Sequence, residues 1–218
     1  MRASTARITD DKAGQSATLR ARRSQRAAWL VRRAAVIGLF GVAAHCTAPL
    51  ACAQAVDQSV INREYQIKAA FLYNFGRDAY IRWPQEALGD ESDPFVIGIL
   101  GRDPFGNNLM EIARHKKVKG RRLIVRRFAT IEQYDHCHIL FVSRFESSEQ
   151  QLRAIRQTAD QHVLVVGESP GFAEKGGSIN FYVERNKIRF EINLESARHH
   201  DLTISSRLLS VARIIGGQ

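Results

Sequence analysis

Two imidazoles bracket a thiol at His136, Cys137 and His138. Set two residues apart at the start of a strand, they would share one face and could hold a soft divalent metal. A closed site needs a second spaced pair. The other adjacent pair, His199 and His200, falls in a loop-like stretch, so neither a metal nor a cofactor is expected. Gly171, Gly176 and Gly177 in PGFAEKGG resemble a phosphate cradle, but they lack the Lys-Ser/Thr that follows such a loop. Turn chemistry ahead of a hairpin accounts for them equally well. Ser205, Ser206 and Arg207 stand outside any G-x-S-x-G elbow. The chain is therefore expected not to be an enzyme, and a hydrolase using His136 or His138 is the weakest rival.

The better-founded candidates lie on a hairpin between Ser178 and Leu194. With Arg185-Asn186 as a two-residue turn, Val183 faces Ile188, Phe181 faces Phe190 and Ile179 faces Ile192. The opposite face sets Glu184 against Lys187, Tyr182 against Arg189, Asn180 against Glu191 and Ser178 against Asn193. A slip by one residue would break both sets, so the register is strongly specified. One face is expected to be core, and the other a polar row of Asn180, Tyr182, Arg189, Glu191 and Asn193. That row is either a solvated face or a binding surface. Arg189 and Glu191, one pleat apart at roughly 6 to 7 Å, could hold the two ends of a zwitterion or of a partner's charged pair. Arg207 could add a bidentate anion contact.

Around the hairpin, strands and helices alternate. Val60 to Phe75 reads as a helix apolar nearly all round in its second half, with Glu64 and Lys68 at i, i+4. Phe95 to Leu100 is a buried strand, and Asp103-Pro104 should cap and start a helix bearing Phe105, Leu109, Ile112 and Ala113. Short strands follow at Leu123 to Val125 and Ile139 to Val142. Ser147 or Ser148 should cap a helix with Leu152, Ile155 and Ala159 on one stripe and a Glu149 to Arg153 pair. Val163 to Val166 is a further strand. Ser205 should cap a final helix carrying Leu208, Leu209, Val211, Ala212, Ile214 and Ile215. The expected fold is an α/β single-domain sandwich, with a mixed, mostly parallel sheet flanked by helices and a C-terminal hairpin.

Charge and length set the compartment. The 218 residues carry 32 Lys and Arg against 22 Asp and Glu, a net +10. Residues 1 to 33 hold nine basic and two acidic side chains, so the rest of the chain is only +3. A basic nucleic-acid footprint is thereby excluded. Arg32-Arg33, the apolar run Ala34 to Ala44 and the triplet Ala51, Cys52, Ala53 form a cleavable signal peptide, with cleavage expected after Ala53. Residues 54–218 would then be one periplasmic domain. Only Cys137 would remain, a free and buried thiol with no partner for a disulfide.

The motifs together resemble a family. KAAFLYNF at Lys68 to Phe75, Trp83-Pro84, GILGRDPFG from Gly98, VKGRRLIVRRF from Val118, CHILFVS from Cys137, PGFAEKGGSINF, KIRFEINLESAR and ISSRLLSVARII cover nearly all of residues 54–218. Their order is similar to that of the YfiR-like periplasmic regulators. The resemblance implies a repressor that binds the periplasmic region of an inner-membrane diguanylate cyclase, controlling cyclic di-GMP and biofilm formation. It also implies sequestration by an outer-membrane lipoprotein, and leaves a homodimer open. A histidine kinase or another membrane sensor is an alternative partner, and a periplasmic solute-binding protein is an alternative function. GRDAYIR between Phe75 and Trp83 is about two residues longer than the family spacing, which predicts a shifted or bulged end to the first helix. The disulfides of some relatives are not inherited.

Overall fold

The computed structural model describes residues 49–216. Residues 1–48, and with them most of the expected signal peptide, lie outside the described residues. Helix α1 (Pro49–Phe75) runs directly into the domain. Tyr65, Ala69, Leu72 and Phe75 recur at i, i+4, i+7 and i+10 and are buried. This stripe lies against one face of the sheet. The helix ends at Phe75 without a bulge, and the longer GRDAYIR spacing is taken up in turns, with Arg77 N donating to Asn74 O at 3.0 Å and Tyr80 N to Arg77 O at 2.9 Å.

The remaining elements follow in order: β1 (Ile81–Arg82), α2 (Gln85–Leu88), β2 (Phe95–Leu100), α3 (Asn108–His115), β3 (Lys117–Val118), β4 (Arg121–Phe128), β5 (Ile139–Val142), α4 (Ser148–Gln157), β6 (Leu164–Gly167), β7 (Ile179–Glu184), β8 (Lys187–Asn193), α5 (Leu194–His199), β9 (Thr203–Ile204), α6 (Ser206–Leu209) and β10 (Arg213–Ile215). The main sheet has eight strands in the order β10-β8-β7-β6-β5-β2-β4-β3, and β1 pairs with β9 separately. Its middle, from β7 through β6, β5 and β2 to β4, is parallel. The β7–β8 and β3–β4 pairs are antiparallel. The mixed, mostly parallel α/β sandwich is the expected fold. Strands β2, β5 and β6 are buried throughout, as continuous apolar runs with both faces covered should be. Ile97, Phe141 and Val166 join the α1 side, whereas Leu100, Leu140 and Val165 join Ala154 of α4 and Phe172 on the other.

The hairpin register is the expected one at all six pairs from Ile179–Ile192 to Glu184–Lys187. Arg185 and Asn186 both have positive φ, 50° and 59°, the type I′ requirement. Ser147 caps α4, its hydroxyl accepting from Gln150 N.

Four local expectations are corrected. Ile179, Phe181, Phe190 and Ile192 are core, but Val183 is 53 % exposed at the hairpin's free end. Asp103 turns the chain by accepting from Phe105 N at 2.8 Å, while α3 starts five residues later at Asn108. The buried stripe of α4 is Gln151 and Ala154, not Leu152 and Ala159. The last helix ends at Leu209, and Arg213–Ile215 forms β10, parallel to β8. Local apolar spacing suits a helix there. The open backbone edge of Glu191 to Asn193 suits two β-branched isoleucines better, and tertiary pairing overrides propensity.

Candidate functional site

Strand β7 is longer than β6, its parallel neighbour. Val166 and Gly167 of β6 meet Ile179 and Asn180, so Phe181 to Glu184 run on past the carboxyl end of β6. The overhang walls a cleft of about 610 Å³, bordered by α1 and by the loops after β5 and β6. This is the crevice outside the carboxyl ends of parallel strands, where open α/β sheets bind ligands.

Two ion clusters line it. Lys68, 2 % exposed, sends Nζ to within 2.5 Å of Glu64 Oε1 and 2.6 Å of Glu168 Oε2. Glu168 Oε1 also accepts from the Tyr65 hydroxyl and the Arg144 backbone N–H, each at 3.3 Å. Burial, then the charge of Glu168, raises the Tyr65 phenol above its ordinary range. The Arg144 guanidinium lies 5.6 Å from the Tyr65 ring centroid. In the second cluster, buried Glu191 accepts from Asn180 Nδ2 at 3.0 Å and from Arg213 Nε at 3.0 Å and Nη2. The Arg213 guanidinium sits 4.7 Å over the Tyr182 ring, and its bond to Glu191 raises its pKa further. Asn180 Oδ1 is buried and has no hydrogen-bond partner among the described residues. It is an acceptor left over at the cleft wall.

Of the residues expected at a site, Asn180, Tyr182 and Glu191 come together here. The other three do not. Arg189 points to Glu184 at 3.9 Å on the exposed arm, while Glu191, expected to hold the other end of a ligand beside it, is engaged by Arg213 on β10. Asn193 is an N-cap, accepting from Ser196 N at 3.0 Å and donating to Ala173 O at 2.8 Å. Arg207 is exposed on α6 beside a separate apolar hollow of Phe71, Phe75 and Phe190. The polar row is thus not a solvated face over its inner half, where Asn180 and Glu191 are each 2 % exposed. Lys68, Glu64, Glu168, Arg144 and Arg213 were not anticipated as site residues. Two signals pointed to them: a lysine in the apolar second half of a helix, which demands a buried counter-charge, and a glutamate directly after a buried parallel strand.

The histidines stay apart from this cleft. His138 is buried and stacks on Phe95 at 4.4 Å between centroids. Its Nδ1 accepts from Val96 N at 3.0 Å, which leaves the neutral ring's proton on Nε2. Burial, then His136, pulls its pKa down to about 4. His200 is also buried, with Nδ1 2.6 Å from Gln161 O, while His199 is exposed at the end of α5. No group of three or more His, Cys, Asp or Glu among the described residues is placed to hold a metal. Cys137 is buried, its thiol pushed up to about 12 by desolvation. In PGFAEKGG it is Gly177 that packs on a ring, with Gly167 at the end of β6 on its other side. A Cβ on Gly177 would lie 2.2 Å from Phe172, and one on Gly167 2.4 Å.

The domain is a three-layer α/β fold with a charged cleft at the carboxyl ends of its parallel strands. The chain belongs to the YfiR/HmsC-like family, whose model matches residues 65–213. At family level this supports a regulator tied to diguanylate cyclases, in a family of regulators rather than enzymes. No curated protein matches the chain. No helix among the described residues is long and apolar enough to cross a membrane.

Proposed function

We propose that the chain is exported to the periplasm, loses residues 1–53, and represses a membrane-bound diguanylate cyclase by binding the cyclase's periplasmic sensor region. Lower cyclic di-GMP and less biofilm follow from that contact. The observation that carries this reading is the family match across residues 65–213, which spans both ion clusters of the cleft except Glu64. The cleft supports it physically. Lys68, Glu64, Glu168, Glu191 and Arg213 are paired inside the protein, an arrangement that presents a fixed surface. Gene deletion should raise cellular cyclic di-GMP, and a photo-crosslinking residue at Tyr182 should trap a diguanylate cyclase in membranes. Unchanged cyclic di-GMP in the deletion strain, with no cyclase in the crosslinked product, would overturn the reading.

A second reading is favoured by the unpartnered Asn180 Oδ1. A small ligand donating a hydrogen bond to that oxygen would occupy the cleft and tune partner binding. Thermal shift against a metabolite library, repeated on Asn180→Leu, checks it. A stabilising compound whose effect survives that substitution would place its site elsewhere.

A further inference from the structure

At the corner where β5 leaves the sheet, an aromatic ring stands in solvent between two cations. Phe145 is 51 % exposed. The Arg102 guanidinium carbon lies 4.7 Å from its centroid and that of Arg144 lies 5.7 Å. Arg102 follows β2 and Arg144 follows β5, so adjacent parallel strands deliver both to the same end of the sheet. A single exposed apolar residue is ordinary. A phenyl ring flanked by two guanidiniums is a different object. Cation–π attraction draws both guanidiniums toward the ring, and Arg144 lies between it and Tyr65, 5.6 Å from the Tyr65 centroid. Their charge is also only weakly answered within the chain. Arg102 pairs with no carboxylate among the described residues, and Arg144 reaches only Glu64, at 4.0 Å. Glu146 shares the corner but packs against Gly101 and bridges to neither arginine. Arg144 also lines the cleft, whose other wall ends in exposed Val183.

We propose that Arg102, Phe145 and Arg144 form a docking anchor for a protein partner that presents carboxylates around an apolar hollow the size of a phenyl ring. Aromatic and arginine side chains dominate interface hot spots, because they bury large area at low ordering cost. Here the guanidiniums would take the partner's carboxylates bidentately while the ring fills the hollow. The proposal rests on the reading of the chain as a binding protein for a membrane cyclase, and it names the chemistry of the face that the cyclase offers.

The test uses the purified full-length processed protein and the purified periplasmic segment of the cyclase trapped by crosslinking. Phe145→Ala and the double variant Arg102→Glu/Arg144→Glu should each weaken binding at least about tenfold. All three positions are on the surface, so melting temperatures should stay near that of the unsubstituted protein. Val211→Ser, exposed on another face, should bind as the parent does. Raising NaCl from about 50 to about 500 mM should weaken the parent and leave the double variant's residual binding nearly unchanged. Binding by Phe145→Ala and the double variant within about twofold of the parent, while the parent binds the segment, would overturn the anchor and leave the cyclase reading intact. Failure of the parent itself to bind would overturn both.

Discussion

Lys68 is the residue on which the cleft turns. Its ammonium sits between Glu64 and Glu168 with 2 % of the residue exposed. A buried ion pair adds little over an apolar replacement of the same shape, but removing one partner strands a charge. Lys68→Met should therefore cost roughly 3 to 5 kcal/mol in chemical denaturation, and Lys68→Met/Glu168→Gln should recover part of that loss. If the single variant were as stable as the parent, the cluster would contribute nothing to holding α1 against the loop after β6. His138 makes a different residue-scale prediction. Its folded pKa of about 4 lies below the ordinary 6.5, and His200 is lowered too, mainly by burial. As pH falls through this window the unfolded chain binds protons that the folded chain refuses, so stability present above pH 6.5 is lost toward pH 4. For His138 the loss amounts to roughly 3 kcal/mol. His138→Phe should flatten the stability-against-pH slope. It should also lower stability near neutral pH by about 1 to 3 kcal/mol, because Val96 N–H loses its acceptor. Urea titrations on either side of pH 6 check both effects.

Among the elements, β10 holds the second cluster. Arg213→Ala would leave buried Glu191 with Asn180 as its remaining hydrogen-bond partner among the described residues. The expected cost is about 1 to 3 kcal/mol, read as a drop of several degrees in Tm. An unchanged Tm would mean that β10 pairs without help from the carboxylate. This element also marks where sequence reasoning stopped. The hairpin register could be read in full because its two faces have opposite polarity and period two leaves one solution. The central strands were readable as unbroken apolar runs. β10 was not, since Leu208 to Ile215 has helical apolar spacing and only the vacant edge of β8, a distant element, selects the strand. The engagement of Glu191 by Arg213 was hidden for the same cause: a third strand, distant in sequence, supplies the arginine. Lys68 with Glu168 is a contact across 100 residues, which no local pattern encodes.

At the scale of the whole molecule, the two walls of the cleft differ in how they are held. On the loop between β6 and β7, Phe172 is locked between Gly167 and Gly177, and Phe172→Ala should cost roughly 3 to 5 kcal/mol by opening a void there. A much smaller loss, measured by denaturation, would show that the loop can collapse inward. The facing wall is the β7–β8 arm, clamped at Ile179 and Ile192 but unsupported at Val183. The pair behaves as a fixed jaw and a cantilever. Any breathing of the opening is confined to the arm, so amide deuteration should climb from slow at the root to fast at the turn, and should slow again at the tip when something is clasped there.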